Sequence, residues 1–297
     1  MAKSLGGKIA KLVSVIAAAL LVLAMSFAFV GCETKHPEIS VKISFNEETY
    51  ELEYKLYRNM YPQTVAHYLE LIDMKHFDGT VIHDYRSDRM VGGAYYYDGE
   101  DVVDDLVEKD YDAATKDENG NVTLKNVSVW ADADKTTAYN TLYGEFQKNA
   151  FEIKNNGLTN TLGAIGTYYY TPANTSQKVY IQRNENKEMD TRSYCYNATT
   201  SMFYLYTGSS GTDTAYCTFG VLNGKKYEEK FQELLDAIEA YTLDVLNGGD
   251  EEGTEVFTTE EQMTIEDEYW AESSYEDVSF SIPRAKIVIE QVKVLKY

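Results

Sequence analysis

Few residues in this sequence combine a type and a spacing that could do chemistry, and they fall in one short stretch. His83, Asp84 and Arg86 lie within residues 80–86, a run rich in apolar and β-branched residues that predicts a strand. Alternate strand residues share a face, so Arg86 could either pair with the Asp84 carboxylate or donate hydrogen bonds into a site on that face. Arg89 is a second candidate donor. No Ser/His/Asp, Cys/His or paired-carboxylate pattern accompanies these residues, so hydrogen-bond donation is the chemistry that the stretch can offer.

A helix is predicted directly before this strand. Pro62 suits a first helical turn, where its missing N–H would lack a partner in any case. Apolar residues then recur at helical spacing, at Val65, Tyr68, Leu69 and Ile72. The pattern ends at the turn signal Asp78-Gly79, and a Gly92-Gly93 pair follows the strand. Together these signals predict a helix over 62–75, a tight turn and then the strand.

This order of helix, turn, strand and glycine pair resembles the cyclophilin family of peptidyl-prolyl isomerases. That family typically reads P-x-T-V-x-N-F-x-x-L, then Y-x-G-x-x-F-H-R, then Q-G-G. Later segments are similar to its motifs G-E-F, G-x-L-S-M-A, N-S-A-T-S-Q-F-F-I and V-F-G-x-V-x-x-G. They follow the family's order, at 143–149, 162–167, 197–205 and 218–224. Agreement of separate segments in one order indicates a shared fold.

The resemblance implies a mainly β fold, a closed antiparallel cyclophilin-like β-barrel capped by two α-helices. The second helix is predicted over 228–246, where one face carries Phe231, Leu234, Leu235, Ile238, Tyr241 and Val245. We predict one cyclophilin-like domain over 39–297, because no Pro/Ser-rich linker divides the chain. Three stretches match no family motif and are predicted to be insertions outside the barrel, at about 95–140, 168–196 and 248–278.

The resemblance also implies peptidyl-prolyl cis-trans isomerase activity, with no cofactor and no metal. Rotation about a peptide bond crosses a barrier of ~18–20 kcal/mol. Catalysis needs an apolar pocket for the proline ring and a donor that stabilises the twisted bond, and in this family an arginine is that donor. His83 matches the family outright, and Tyr204 stands where the family has the phenylalanine that floors the pocket. The substrate-binding positions that the motifs imply are Met90, Val91, Met202, Tyr204 and Tyr216.

One departure from the family affects the expected catalysis. The family's arginine follows its histidine, but here that position is Asp84, whose ionised carboxylate has no hydrogen to donate. We therefore assign the catalytic positions to His83 and Arg86 and predict reduced activity. Alternatively, Arg86 forms a solvated surface pair with Asp84, and the chain is a non-catalytic module that binds peptide or carbohydrate on a cyclophilin scaffold. The 26 tyrosines favour this alternative, since tyrosine gives a large contact area at low entropic cost.

The N-terminus is typical of a targeting segment, because lysines precede an uncharged, mostly apolar run over 12–30. Gly31-Cys32 then resembles a bacterial lipoprotein box, although Phe29 stands where leucine is usual. We predict a lipoprotein signal peptide over 1–31, a lipidated Cys32 and a tether over 32–38. An uncleaved membrane anchor is the alternative, since the apolar run could just cross a bilayer. Both place the domain at the extracytoplasmic face of a cell membrane, where proline-containing segments of exported proteins are the expected partners.

The charge of the chain excludes one class of partner. Its formal net charge is −21, and cleavage after residue 31 would remove three lysines and no acid, which gives −24. A chain this acidic is repelled by phosphate backbones, so no nucleic-acid binding is expected.

Two weaker patterns in the sequence concern a metal site and a disulfide. Asp117, Asn119 and Asn121 are spaced like the start of a calcium loop, but Val122 stands at the glycine position and no glutamate closes the loop. No metal site is therefore predicted. A disulfide between Cys195 and Cys217 stays open, because the sequence does not give the distance between their Cα atoms.

Overall fold

Strands dominate the structure, which is a computed structural model. It describes residues 34–102, 105–109, 129–130, 132–134, 141–149, 151–153, 157–170, 178–183, 188–193, 197–208, 211, 217–267 and 274–297. Several sequence predictions lie outside these described residues, namely those on the segment 1–31, Cys32, the calcium-like residues 117–122, Cys195 and Tyr216.

The described strands, in chain order, are β1 (Glu38–Phe45), β2 (Glu48–Leu56), β3 (Thr80–Tyr85), β4 (Arg89–Gly92), β5 (Tyr95–Tyr97), β6 (Leu106–Glu108), β7 (Val129–Trp130), β8 (Thr141–Tyr143), β9 (Ile165–Tyr170), β10 (Lys178–Arg183), β11 (Glu188–Ser193), β12 (Asn197–Tyr206), β13 (Thr218–Leu222), β14 (Thr258–Asp267), β15 (Ser274–Pro283) and β16 (Ile287–Lys296). The described α-helices are α1 (Pro62–Asp73) and α2 (Lys225–Tyr241). A short 3₁₀ turn forms at Gln147–Asn149, and α2 continues into a π-helical turn at Thr242–Leu246.

Eight strands form a closed antiparallel barrel in the order β4-β3-β16-β1-β2-β13-β9-β12. The ring closes because β12 pairs back onto β4, with Tyr204 opposite Val91 and Tyr206 opposite Arg89. β8 pairs with β12 beside this closure. The predicted closed antiparallel barrel with two helices is confirmed.

Alternation of apolar and polar residues explains why these strands enclose a core. In β1, four alternate residues from Ile39 to Phe45 are buried. Inward-pointing side chains of the strands form what we call the barrel cluster, which includes Leu52, Ile82, Met90, Phe203, Leu205 and Phe219. The helices bury their predicted stripes against it, α1 through Val65, Tyr68, Leu69 and Ile72, and α2 through Phe231, Leu234 and Ile238.

The end of the second helix differs from the prediction. Val245 was expected on the buried face, yet 57% of it is exposed. The α-helix ends at Tyr241, and the π-helical turn that follows carries an extra residue per turn. Later side chains are therefore rotated off the apolar face.

A second apolar cluster lies on the opposite side of the strands that close the ring. We call it the outer cluster, and it contains Val81, Val91, Met202, Tyr204 and Tyr206 from the barrel, with Val129, Val179, Ile181, Phe280 and Ile282 from other strands. Those other strands belong to separate sheets, β7-β10-β11 and β14-β15. These two sheets stand outside the barrel ring and bury part of its outer wall. The predicted bounds of the insertions differ from the strands at two places, since residues 168–170 belong to β9 of the ring and β15 runs on to Pro283.

Residues 35–296 make up one compact unit, and it is the part of the chain discussed below. Of the other unit the structure describes Thr34 and Tyr297, and the Thr34 N–H donates to the Tyr297 carbonyl over 3.0 Å. None of the helices in the described part of the chain is long and apolar enough to cross a membrane.

Candidate functional site

Tyr204 lies on the outer wall of the barrel, and an arginine covers its ring. The Arg89 guanidinium carbon is 5.1 Å from the centroid of the Tyr204 ring, within the range of a cation–π contact. The Tyr168 ring lies beside Tyr204 at a centroid distance of 5.1 Å. Arg89 also forms an ion pair with the exposed Asp88 over 3.0 Å. A guanidinium and an aromatic ring therefore share this face.

The register of β4 explains why Arg89, rather than Met90, reaches this face. Arg89 and Val91 stand opposite Tyr206 and Tyr204 on β12, and alternate residues of a strand point the same way. Met90 points to the other side, where it is fully buried in the barrel cluster. The sequence motifs predict Met90 in the pocket. The structure places it in the core instead.

A β-bulge at His83 shifts the pairing of β3 with β4. Ile82 stands opposite Gly92 and Asp84 opposite Val91, so His83 is the extra residue. Its ring is completely buried, with the Tyr95 ring centroid at 4.5 Å and the Phe280 ring centroid at 5.1 Å. Neither ring nitrogen has a hydrogen-bond partner of regular geometry.

His83 is consequently neutral near pH 7. Burial lowers the pKa of His83 to about 3, against a weaker opposite effect of the Val81 backbone. A neutral ring enclosed by aromatic side chains cannot contact a peptide in this conformation. The sequence predicts a catalytic role for His83. In the structure, His83 packs among aromatic side chains instead.

Asp84 and Arg86 are held by the β14-β15 hairpin. The Asp84 carboxylate is 4% exposed, and it accepts hydrogen bonds from the Ser281 N–H at 2.7 Å and from Arg86 Nε at 2.9 Å. Arg86 also donates from a terminal nitrogen to the Ser279 carbonyl over 2.9 Å. The hydrogen bond from Arg86 to Asp84 raises the pKa of the guanidinium, so Arg86 stays charged.

This geometry corrects the interpretation of the pair as solvated. Asp84 is buried. The hydrogen bonds of Arg86 described above go to acceptors on β3 and β15, whereas Arg89 covers the ring of Tyr204. Charged hydrogen bonds of this kind are among the stronger ones in proteins. The pair therefore docks the hairpin onto the barrel, and Arg89 is the arginine at the aromatic face.

The candidate pocket is closed in this structure. Val91, Met202 and Tyr204 are all buried, with Tyr204 4% exposed. They share the outer cluster with Val129, Val179 and Ile181 of the β7-β10-β11 sheet. A proline ring could reach Tyr204 only if a covering side chain moved.

Gly93 fixes the position of the strand that carries Arg89. Its φ is +102°, and a Cβ there would lie 2.4 Å from the Ser201 carbonyl oxygen. Only glycine permits this approach of β4 to β12. Counting back along β4 from the Gly92-Gly93 pair gives the face on which Arg89 lies. The glycine pair is therefore the sequence signal for the position of Arg89.

A buried carboxylate that the sequence patterns do not indicate stabilises α1. Glu145, in the segment similar to G-E-F, accepts hydrogen bonds from the N–H groups of Gln63 at 3.2 Å and Thr64 at 2.9 Å. These are unpaired first-turn amides of the helix. Burial raises the pKa of Glu145, although the helix amides act in the opposite direction.

Cys217 is a free and fully buried thiol next to this helix start. It donates to the Thr64 hydroxyl over 3.6 Å, and burial raises its pKa. The disulfide left open in the sequence is therefore not formed at Cys217. No group of three or more His, Cys, Asp or Glu side chains within the described residues could hold a metal ion.

Known proteins connect this geometry to a family. The family model described as cyclophilin type peptidyl-prolyl cis-trans isomerase/CLD matches residues 40–267. A cyclophilin type peptidyl-prolyl cis-trans isomerase of Cryptosporidium parvum is similar in structure, with 12% identity, a TM-score of 0.37 and coverage of 88% of this chain and 99% of its own. The Mimivirus cyclophilin is 14% identical, with a TM-score of 0.36 and coverage of 86% and 91%.

Cyclophilin AquaCyp293 from Hirschia baltica is 10% identical, with a TM-score of 0.32 and coverage of 88% of this chain and 74% of its own. No curated protein matches the chain by sequence. The family model spans more than half of the chain and includes β3, β4 and β12, which carry the site described above. The chain therefore belongs to the cyclophilin-type peptidyl-prolyl cis-trans isomerase family.

Proposed function

We propose that this chain is a slow peptidyl-prolyl cis-trans isomerase that acts on proline-containing segments of exported proteins at a membrane surface. The single observation that carries the proposal is the Arg89 guanidinium 5.1 Å from the Tyr204 ring centroid. Amide rotation needs an aromatic floor for the proline ring and a hydrogen-bond donor beside it. Tyr204 supplies the floor, and Arg89 supplies the donor. Asp84, at the position of the family's arginine, supplies neither part.

The proposed reaction begins with a movement of Arg89. The side chain is 27% exposed, so it can swing toward solvent and uncover the ring, at the loss of a cation–π contact worth about 0.5–2 kcal/mol. Proline then stacks on Tyr204. As the bond twists, its nitrogen regains a lone pair, and the guanidinium donates a hydrogen bond to it.

The rate should be low for two reasons. A donor in the right place contributes about 3–4 kcal/mol, or roughly 10²–10³ in rate, and Arg89 must leave its resting position to act. The apolar residues that cover Tyr204 reduce the fraction of molecules open to substrate. We expect turnover at least about a hundredfold slower than that of a family member with arginine after its histidine.

One observation favours a second candidate, a non-catalytic module that binds peptide or carbohydrate. Met202 and Tyr204 are buried together with residues of the β7-β10-β11 sheet. If that cover does not open, the barrel serves as a scaffold, and binding occurs elsewhere on its surface.

Exchange NMR on an Ala-Pro peptide separates the two candidates, because it detects isomerisation without a coupled protease. Wild type should produce exchange between the cis and trans signals of the peptide, and Arg89→Ala should slow this exchange at least about tenfold. Arg192→Ala is the matched control, since Arg192 also pairs with an aspartate, Asp190, and its side chain is 30% exposed against 27% for Arg89. No acceleration by wild type at high protein concentration would favour the non-catalytic module. Equal loss in the control variant would contradict the role of Arg89.

The proposed location rests on the N-terminal sequence. The lysines, the apolar run and Gly31-Cys32 support cleavage after residue 31 and lipid attachment at Cys32. Mass spectrometry of protein extracted from membranes should find a diacylated Cys32 as first residue. Cys32→Ala should leave a folded protein that is unprocessed or released. Detection of an intact Met1 terminus in wild type would refute the cleavage.

A further inference from the structure

A groove of about 670 Å³ lies along the second helix, and none of its lining residues belongs to the outer cluster around Tyr204. α2 and its π-helical turn form one wall. The loop from Asn247 to Phe257 forms the other. Its volume suits several side chains of a bound segment rather than a single small ion.

The floor of the groove is apolar. Leu235 on α2, Tyr85 at the end of β3 and Phe257 at the start of the hairpin line it, and the Tyr85 and Phe257 rings meet edge to face at a centroid distance of 5.3 Å. Leu243 lines the rim and is 36% exposed. An apolar side chain of a ligand would be removed from water here.

The rim of the groove is acidic. Asp236, Glu239, Asp250 and Glu251 line it, and none of them forms an ion pair with a lysine or arginine of the described residues. Glu255 is neutralised by Arg284. No lysine or arginine lines the groove. The negative potential reaches the floor, since Glu239 adds to burial in raising the pKa of Tyr85.

The loop wall is built in advance of any ligand. Asn247 donates from its side-chain amide to the carbonyls of Thr242 at 2.9 Å and Glu255 at 3.0 Å, and it accepts from the Glu255 N–H at 3.0 Å. The two hydrogen bonds between Asn247 and Glu255 join the start of the loop to a residue near its end. A wall already fixed in place reduces the entropy lost on binding.

We propose that this groove binds a basic amphipathic peptide segment of a partner protein. Apolar side chains of the segment lie on Tyr85, Leu235 and Phe257, and its lysines or arginines pair with Asp236, Glu239 and Glu251. Such a segment complements both the floor and the rim, whereas an acidic or purely polar segment matches only one or neither. The inference does not depend on isomerase activity, because the groove shares no residue with the proposed catalytic face.

Fluorescence anisotropy with a short labelled peptide of alternating lysine and leucine tests the proposal. Wild type should bind it saturably, and a matched glutamate–leucine peptide should not bind. The triple variant Asp236→Asn, Glu239→Gln, Glu251→Gln should bind at least about tenfold more weakly, as three lost charge contacts imply. The control triple Glu47→Gln, Glu228→Gln, Glu261→Gln removes the same charge outside the groove and should stay within about twofold.

A second pair of variants tests the apolar contact. Leu243→Ser should weaken the lysine–leucine peptide about fivefold, since it removes an exposed apolar contact on the rim. Val245→Ser changes a more exposed aliphatic residue of the same π-helical turn that does not line the groove, and it should have no effect. Equal losses in groove and control variants, or equal binding of the glutamate–leucine peptide, would overturn the proposal.

Discussion

Arg86 and Arg89 stand at the two ends of the short connection between β3 and β4, yet their surroundings differ. Arg86 is fixed by Asp84 and by the Ser279 carbonyl of the inserted hairpin. Arg89 lies over an aromatic ring, and its ion-pair partner Asp88 is exposed. The first arrangement stabilises the docking of an added hairpin, and the second leaves a donor able to move. Two arginines three positions apart thus differ in what packs against them, and the proposed chemical role falls to Arg89 alone.

The largest expected effect tests the structural end of this comparison. Asp84→Arg would restore the residue type of the family, but it leaves the Ser281 N–H without an acceptor and sets two cations together. We expect the free energy of unfolding to fall by about 3–5 kcal/mol, as when one partner of a buried pair is removed, with no gain in isomerisation rate. Urea denaturation measures the loss.

Asp190→Ala is the control for this change, because Asp190 pairs with Arg192 at the same spacing but is 47% exposed. It should cost less than about 1 kcal/mol. A stable Asp84→Arg variant with a raised rate would show that the pair is not an anchor.

The next effect concerns His83, which lies beside Asp84. Its folded pKa of about 3 is below the ordinary value of 6.5, so between these values the unfolded chain binds the extra proton. Stability is therefore lost as the pH falls below about 6.5, by up to about 1.4 kcal/mol per pH unit and about 3 kcal/mol by pH 4.

His83→Phe should remove this share of the acid sensitivity, whatever its effect at pH 7. Urea midpoints of both proteins from pH 7 to pH 4 give the difference. Burial also lowers the pKa of His76, to about 4. His76 is present in both proteins, so its contribution cancels in the difference between their pH curves. Parallel pH curves for the two proteins would mean that His83 is charged or exposed in the folded state.

The third effect tests the chemical end of the comparison. Arg89→Ala should lower the isomerisation rate at least about tenfold and the free energy of unfolding by no more than about 1 kcal/mol, since its contacts are partly exposed. Arg86→Ala should do the reverse, with reduced stability and an unchanged rate per folded molecule. Exchange NMR measures the rate of both variants, and urea denaturation measures their stability. If Arg86→Ala lost the rate and Arg89→Ala lost the stability, the donor would be Arg86.

The smallest effect distinguishes charge from shape at Arg89. Arg89→Lys keeps the positive charge but loses the planar donor fork. We expect the rate to fall about two- to threefold and the stability to stay within about 0.5 kcal/mol. A rate as low as that of Arg89→Ala would show that the guanidinium geometry, and not only the cation, is required.

The barrel could be predicted from the sequence because its signals are local. Alternation in β1 and the apolar stripe of α1 depend on residues a few positions apart, and the family-like segments fix their order. The site could be predicted only in part. Tyr204, Val91 and Met202 share the outer cluster, whereas Met90 lies in the barrel cluster and Arg89 on the outer face, because strand register decides which residue points outward.

The role of Asp84 could not be read from its neighbours in the sequence. Its acceptor sites are filled by Arg86 and by Ser281, which is 197 residues further along the chain. The acidic stretch before Ser281 gives no signal that the second strand of the hairpin buries this carboxylate. Contacts between an insertion and a framework are not encoded in the local periodicity of either one.

The pairing of β1 with β16 has a consequence for how the barrel is made. Ile39 stands opposite Val294, and Phe45 opposite Ile287. The first strand of the ring therefore pairs with the last. Contacts between residues so far apart in sequence slow folding, because a long loop must close before they form. A chain that emerges N-terminus first can assemble α1 and β3 early, but its ring stays open until β16 has emerged. Until then β1 has an unpaired edge, and such edges favour association with other chains.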